Sequence, residues 1–148
     1  MRQYDQGYYR PRHPEKYVGN PNNIIYRSSW ERIFCKWVDM NPAILSWSSE
    51  EICIPYIKPT DGAVHRYFPD YIIKVKDRTG KITTWMVEIK PYNQSVPPVP
   101  SKRKRQSTLL QEQATYLINQ YKWKAAKEFC AKKGWVFKVI TEKELGLV

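Results

Sequence analysis

Arg66-Tyr-Phe-Pro-Asp-Tyr-Ile-Ile-Lys-Val-Lys76 and Ile82-Thr-Thr-Trp-Met-Val-Glu-Ile-Lys90 decide the fold. Both stretches alternate and are rich in β-branched and aromatic residues, so each reads as a strand. The link Asp77-Arg-Thr-Gly-Lys81 holds Gly80 where a three-residue hairpin loop needs a left-handed residue. Paired positions in such a hairpin sum to about 158. Asp70 then falls opposite Glu88, and alternation puts Glu88 and Lys90 on one face, away from Trp85, Val87 and Ile89. Two carboxylates across a ladder, with Cβ atoms roughly 5 Å apart, repel each other. A hard cation would turn that repulsion into a binding site, since Mg²⁺ takes one or two carboxylates plus water and phosphate oxygens. Lys90 adds positive charge for a phosphate or a nucleophilic water. The plainer alternative is an exposed hairpin with a mixed-charge face.

The chain around this hairpin has 148 residues and no interior composition break, which fits one core. Six Trp, eleven Tyr and four Phe are enough to fill it. The net charge of +11 favours a polyanionic partner, nucleic acid first, over simple solubility charge. Cys35, Cys53 and Cys130 are odd in number and far apart, against a disulfide framework or a zinc site, and read as buried free thiols. His13 and His65 are too distant in sequence to suggest a histidine metal site. The residues show no signal peptide, apolar membrane run or lipidation motif, so no membrane association is expected.

Residues 1–27 have no regular period and mix Tyr4, Tyr8, Tyr9 and Tyr17 with Arg2, Arg10, Arg12 and Lys16. They form either a basic aromatic arm, with Arg10 and Arg12 on a nucleic-acid backbone, or a strap laid over the domain. A single domain, 28–148, follows. Ser28-Ser-Trp-Glu31 is a capping box that opens a helix, with Trp30, Ile33, Phe34, Trp37 and Val38 as its core stripe and a stop near Asn41-Pro42. Residues 44–57 read as two short strands or one bent one, with Pro55 at an edge or bulge. After Lys90, the proline-rich stretch 91–100 is expected to be neither strand nor helix. Lys102, Arg103, Lys104 and Arg105 follow, making 91–107 either a solvated basic loop or a flap that clamps a nucleic-acid backbone. A long helix is expected, capped at Ser107 or Thr108 and running to Gly134, with Leu110, Ala114, Leu117, Tyr121, Ala125 and Phe129 as its apolar stripe and Lys122 among the polar residues that can reach the site or the DNA. Residues 135–140 form a strand parallel to 82–90, and Thr141-Glu-Lys-Glu144 opens a short terminal helix. The order gives an α/β protein, a mixed β-sheet flanked by helices.

Pro69-Asp70 followed by Glu88-Ile89-Lys90 resembles the PD-(D/E)xK nuclease motif, which is short and degenerate. Longer stretches carry a narrower likeness. Asn22–Glu31, His65–Tyr71, Val87–Pro91 and Trp123–Cys130 resemble the head completion proteins of T-even-type tailed bacteriophages, a family related to the TnsA-type transposon-end endonucleases. That likeness spans about Tyr8 to Leu145 and implies a restriction-endonuclease-like core. It implies Mg²⁺ (or Mn²⁺) held by Asp70 and Glu88, with the Ile89 backbone carbonyl as a further ligand, and Lys90 acting on the water and the phosphate. Glu31 matches a first-helix glutamate that serves a second ion or a water; the alternative is that it only caps its own helix. Gln113 and Tyr116 match the family's helix residues imperfectly. The implied partners are DNA and the portal or head-neck proteins of a phage, in the virion and, during assembly, in the host cytoplasm. Two other functions fit the same residues: a non-catalytic plug or adaptor, and a transposon-end endonuclease, against which the shortness of the chain argues.

Overall fold

A computed structural model of the chain describes residues 6–146. In chain order the elements are β1 (Gly7–Tyr8), β2 (Ile25–Tyr26), α1 (Ser29–Met40), β3 (Ile44–Ser49), β4 (Ile54–Ile57), β5 (Val64–Tyr67), β6 (Tyr71–Lys76), β7 (Ile82–Ile89), α2 (Tyr92–Ser95), α3 (Gln106–Lys133) and β8 (Val136–Ile140). The main sheet has the order β3-β6-β7-β8. β3, β6 and β7 are antiparallel, and β8 returns parallel to β7 after the α3 crossover, as the sequence predicts.

The β6–β7 register puts Tyr71 opposite Val87, which brings Asp70 level with Glu88. The turn is built by Asp77, whose Oδ1 accepts from the Thr79 and Lys81 amides at 2.9 and 3.0 Å and from the Thr79 hydroxyl at 2.6 Å. Gly80 takes φ +87° there, a conformation that side chains rarely adopt. One expectation is corrected: the arm 66–76 is two strands. Pro69 has no N–H for a ladder and is fully buried, so the chain breaks at 68–70. The preceding piece, β5, pairs with β4 in a separate ribbon, with Pro55 opposite Arg66.

The sheet buries apolar residues on both faces. On one side α1 and the N-terminal segment pack Phe34, Cys35, Val38, Tyr17 and Ile24 against Ile44, Trp47, Tyr71, Ile73, Val87 and Ile89. On the other, α3 and the β4–β5 ribbon pack Trp123, Ala126, Cys130, Ile54, Tyr56 and Tyr67 against Met86. The Glu88 face of β7 is therefore roofed rather than open, and Glu88 itself is buried.

α1 starts and stops where its caps predict. Ser28 Oγ accepts from the Glu31 amide at 3.2 Å, and Asn41 closes the helix on the Trp37 carbonyl. Its buried stripe is Phe34, Cys35, Val38 and Asp39, while Trp37 is exposed, because the N-terminal segment rather than the sheet covers part of the helix. That segment is tied down by polar contacts. Buried Asp39 accepts from the Tyr9 hydroxyl and from the Arg12 and His13 amides at 2.7–3.0 Å. Lys16 Nζ donates to the carbonyls of Val38, Asp39 and Asn41, capping the negative end of the α1 dipole. Residues 7–26 thus form a strap over the domain; Arg2 and Tyr4 lie outside the described residues.

Five further expectations are corrected. The 91–100 stretch contains the short helix α2. α3 begins at Gln106 with Arg105 as its N-cap, because a turn from Ser101 to Lys104, anchored by Lys104 Nζ on the Val99 carbonyl and on Glu112, starts the helix two or three residues earlier than expected. The inner face of α3 is Asn119, Trp123, Ala126 and Cys130, with Leu110, Leu117 and Tyr121 exposed. Apolar residues lie all around this helix, so hydropathy singles out no face. Residues 142–146 form turns instead of a helix. Cys53 is exposed and outside any strand, unlike buried Cys35 and Cys130. Gly134 ends α3 as expected, at φ +71°.

Candidate active site

Three elements converge on the end of β7. Glu88 enters from β7, Asp70 from the bend before β6, and α3 supplies Lys122. Asp70 Oδ2 accepts from the Ile89 amide at 2.7 Å, which anchors the carboxylate on the central strand. Glu88 Oε2 accepts from the Tyr67 hydroxyl at 2.8 Å, and Lys90 Nζ stands 3.7 Å from Glu88 Oε1. Burial and the neighbouring Glu88 and Glu31 carboxylates push Asp70 well above the usual carboxylate range, against the pull of the Ile89 N–H and of Lys90. Burial also pushes Glu88 up, with Lys90 and the Tyr67 hydroxyl drawing it part of the way back. Two desolvated like charges held this close call for a cation.

Glu31 stands at the edge. Tyr71, beside Asp70, fixes the first turn of α1 against the hairpin: its hydroxyl reaches the Glu31 carbonyl at 3.4 Å and contacts Cys35 Sγ at 3.3 Å. The Glu31 carboxylate is close enough to raise Asp70, yet its Oε2 accepts from Ser28 Oγ and the Arg27 amide. Among the described residues the cap contacts fall on Oε2, which leaves Oε1 for another use. Arg27 forms a two-point pair with Glu50 at 3.0 and 3.1 Å. Glu50 takes φ +55°, unusual for a side-chain-bearing residue, and donates its amide to the Asp70 carbonyl at 3.1 Å. A strained residue thus steadies the bend that carries Asp70.

Among the described residues no group of three or more His, Cys, Asp or Glu is placed to hold a metal ion. The donors present, two carboxylates, suit a hard ion of the Mg²⁺ kind, which keeps several waters and uses one or two carboxylates; they do not suit a closed zinc site. The contact made by Ile89 is through its N–H, and the carbonyl of a strand residue points to the same neighbour as its N–H, here toward Asp70.

The other sequence candidates are spread out. Arg10 and Arg12 are exposed and, with Arg32 and Lys36, line a groove between the strap and α1. Lys102, Arg103 and Arg105 are exposed ahead of α3, while Lys104 is tied to Val99 and Glu112. Gln113 is exposed, and Tyr116 lines a separate cavity with Asn93 and Gln94. Sequence reasoning missed Tyr67 as a donor to Glu88 and left Lys122 in a polar set that could reach either the site or the DNA, without tying it to the carboxylates. The available signals were a tyrosine three residues before Asp70 and a lysine beside the buried Trp123.

A mixed sheet whose antiparallel hairpin carries Pro69-Asp70 and Glu88-Ile89-Lys90, with helices on both faces, defines a protein of the restriction-endonuclease-like class. Residues 41–142, which hold Asp70, Glu88 and Lys90, match the family model described as TnsA-like endonuclease N terminal. The chain belongs to that family. It is also 39% identical over 145 residues to the head completion nuclease of Enterobacteria phage T4, covering 94% of this chain and 92% of that protein.

Proposed function

We propose that this chain is a phage head completion protein with a metal-dependent DNA endonuclease site, which acts on filled heads before tail attachment and trims the protruding DNA end. The buried Asp70–Glu88 pair with Lys90 at its edge carries this reading, because such a pair has a use only if a cation and an anion meet there. A bound divalent ion supplies a hydroxide near neutral pH and offsets charge on the phosphate. Asp70 and Glu88 would hold it, with the Ile89 carbonyl as a further ligand, and Glu31 would offer Oε1 to a second ion or a water. Tyr67 orients Glu88, and the Ile89 amide orients Asp70. Lys90 positions the attacking water and steadies the phosphate. Arg10, Arg12, Lys102, Arg103, Lys104 and Arg105 take the DNA backbone, with little base readout expected. The setting is the virion and, during assembly, the host cytoplasm, with portal or head-neck proteins as partners. Among the described residues no helix is long and apolar enough to cross a membrane.

A second reading, a DNA- and portal-binding plug on a nuclease scaffold, draws on one observation: Glu31 is engaged by its own helix cap and no three-acid group forms among the described residues. The two readings separate on heads filled with DNA but lacking this protein. Added wild-type protein should make them competent for tails and shorten the DNA end, and Glu88→Ala should do neither. If Glu88→Ala restores tail joining fully, the plug is the function.

A further inference from the structure

Lys122 is a partly desolvated cation with no anion of its own among the described residues. It is half-buried, with Nζ 5.7 Å from the centre of the Tyr67 ring and 5.8 Å from that of Tyr56. The Tyr67 hydroxyl lies on Glu88, and Glu88 has Lys90 at its other oxygen, so lysines from two elements serve one carboxylate pair. Among the described residues no carboxylate lies within salt-bridge distance of Lys122. Burial, with repulsion from Lys90 and Lys58, works against its charge, while Glu88 and Asp70 draw it the other way. Two aromatic faces hold the ammonium without neutralising it.

Counting charge shows what is missing. Asp70 and Glu88 together balance one divalent ion. A phosphodiester brings one negative charge, and a second arrives with the hydroxide that adds to phosphorus once the attacking water has given its proton to solvent, before the ester oxygen leaves. Lys90 matches the first of these, and a fixed cation is left to match the second. We propose that Lys122 is a second catalytic lysine, which binds the scissile phosphate and neutralises the charge that grows on it. The proposal rests on the reading of Asp70, Glu88 and Lys90 as a hydrolytic site.

Lys122→Met tests it, because the thioether chain keeps the packing on Tyr56 and Tyr67 and removes only the charge. Turnover, DNA affinity and thermal midpoint are measured beside wild type and Glu88→Ala. The expected result is a fall in kcat of about 10²- to 10³-fold, with affinity within about threefold and the midpoint unchanged or higher. Lys122→Ala should regain part of its kcat on adding ethylammonium, a check that holds if Lys122→Met folds poorly. Turnover at the wild-type rate in Lys122→Met overturns the proposal and, with Glu88→Ala inactive, leaves the site reading intact. A weaker KM and shallower salt dependence with unchanged kcat make Lys122 an ordinary backbone contact and also overturn it. A wild-type protein that never cuts overturns both.

Discussion

Tyr67 donates a 2.8 Å hydrogen bond to Glu88, joining the small β4–β5 ribbon to the central strand at the site. A phenol bonded to a buried carboxylate favours the charged form of that carboxylate. Tyr67→Phe should therefore raise the Glu88 pKa further. The acid limb of kcat/KM against pH then moves to higher pH, and activity at neutral pH drops several-fold while the alkaline plateau is kept. An unmoved acid limb would mean that Glu88 does not set it.

Asp70 and Glu88 both titrate above their ordinary values, so their charged forms strain the metal-free protein. The unfolded chain gives up these protons at lower pH than the folded one. Stability therefore falls as pH rises through the carboxylate range toward the raised folded values. Glu88→Gln should melt higher than wild type at pH 7 without metal, with the gain vanishing at acidic pH. Adding Mg²⁺ should raise the wild-type midpoint and leave that of Glu88→Gln nearly unchanged. Melting curves with chelator and with Mg²⁺ check both statements.

Asp39 is the opposite case. Burial alone would push its carboxyl up, but the Tyr9 hydroxyl and the Arg12 and His13 amides outweigh that and hold it below the ordinary value. Its contribution to stability is present above the unfolded carboxylate pKa and is lost as pH falls through the folded one. Asp39→Ala leaves three donors unmatched and should cost about 3 kcal/mol, read as a lower urea midpoint. Protease cuts should concentrate in residues 7–26.

Replacing Lys102, Arg103 and Arg105 together by Gln should weaken DNA binding without changing kcat. Each of these cations that sits on a phosphate accounts for about 1 in the slope of log K against log salt, so the slope flattens as they are removed. Lys104→Gln should matter less for DNA, because Lys104 is already tied to Val99 and Glu112. Binding measured across a salt series distinguishes these.

Much of the site was legible because a hairpin with a short glycine loop fixes its own register, which makes Asp70 and Glu88 neighbours by counting. The parallel return of β8 and the Ser28 and Gly134 caps follow from equally local rules. The break at Pro69 was harder, because Arg66-Tyr-Phe continues the alternation and only the missing proline N–H argues against it. The inner face of α3 was hidden by apolar residues on all its sides. With that face went the roof over Glu88 and the place of Lys122, since both depend on which way the helix turns. Burial of the tyrosines at 9 and 17 depended on Asp39 and on Trp47, partners far off in sequence, which no local pattern reveals.

The central claim is that Asp70, Glu88 and Lys90 cut DNA. The most direct measurement is nicking and linearisation of supercoiled DNA by purified protein in Mg²⁺ or Mn²⁺, with Glu88→Ala, Lys90→Ala and a chelator control, and with DNA binding measured on the same samples. The account predicts that wild type cuts only with metal, and that both variants bind DNA but cut at least about a hundredfold more slowly. Equal cutting by all three proteins, or none by a wild type that binds DNA in both metals, would contradict it.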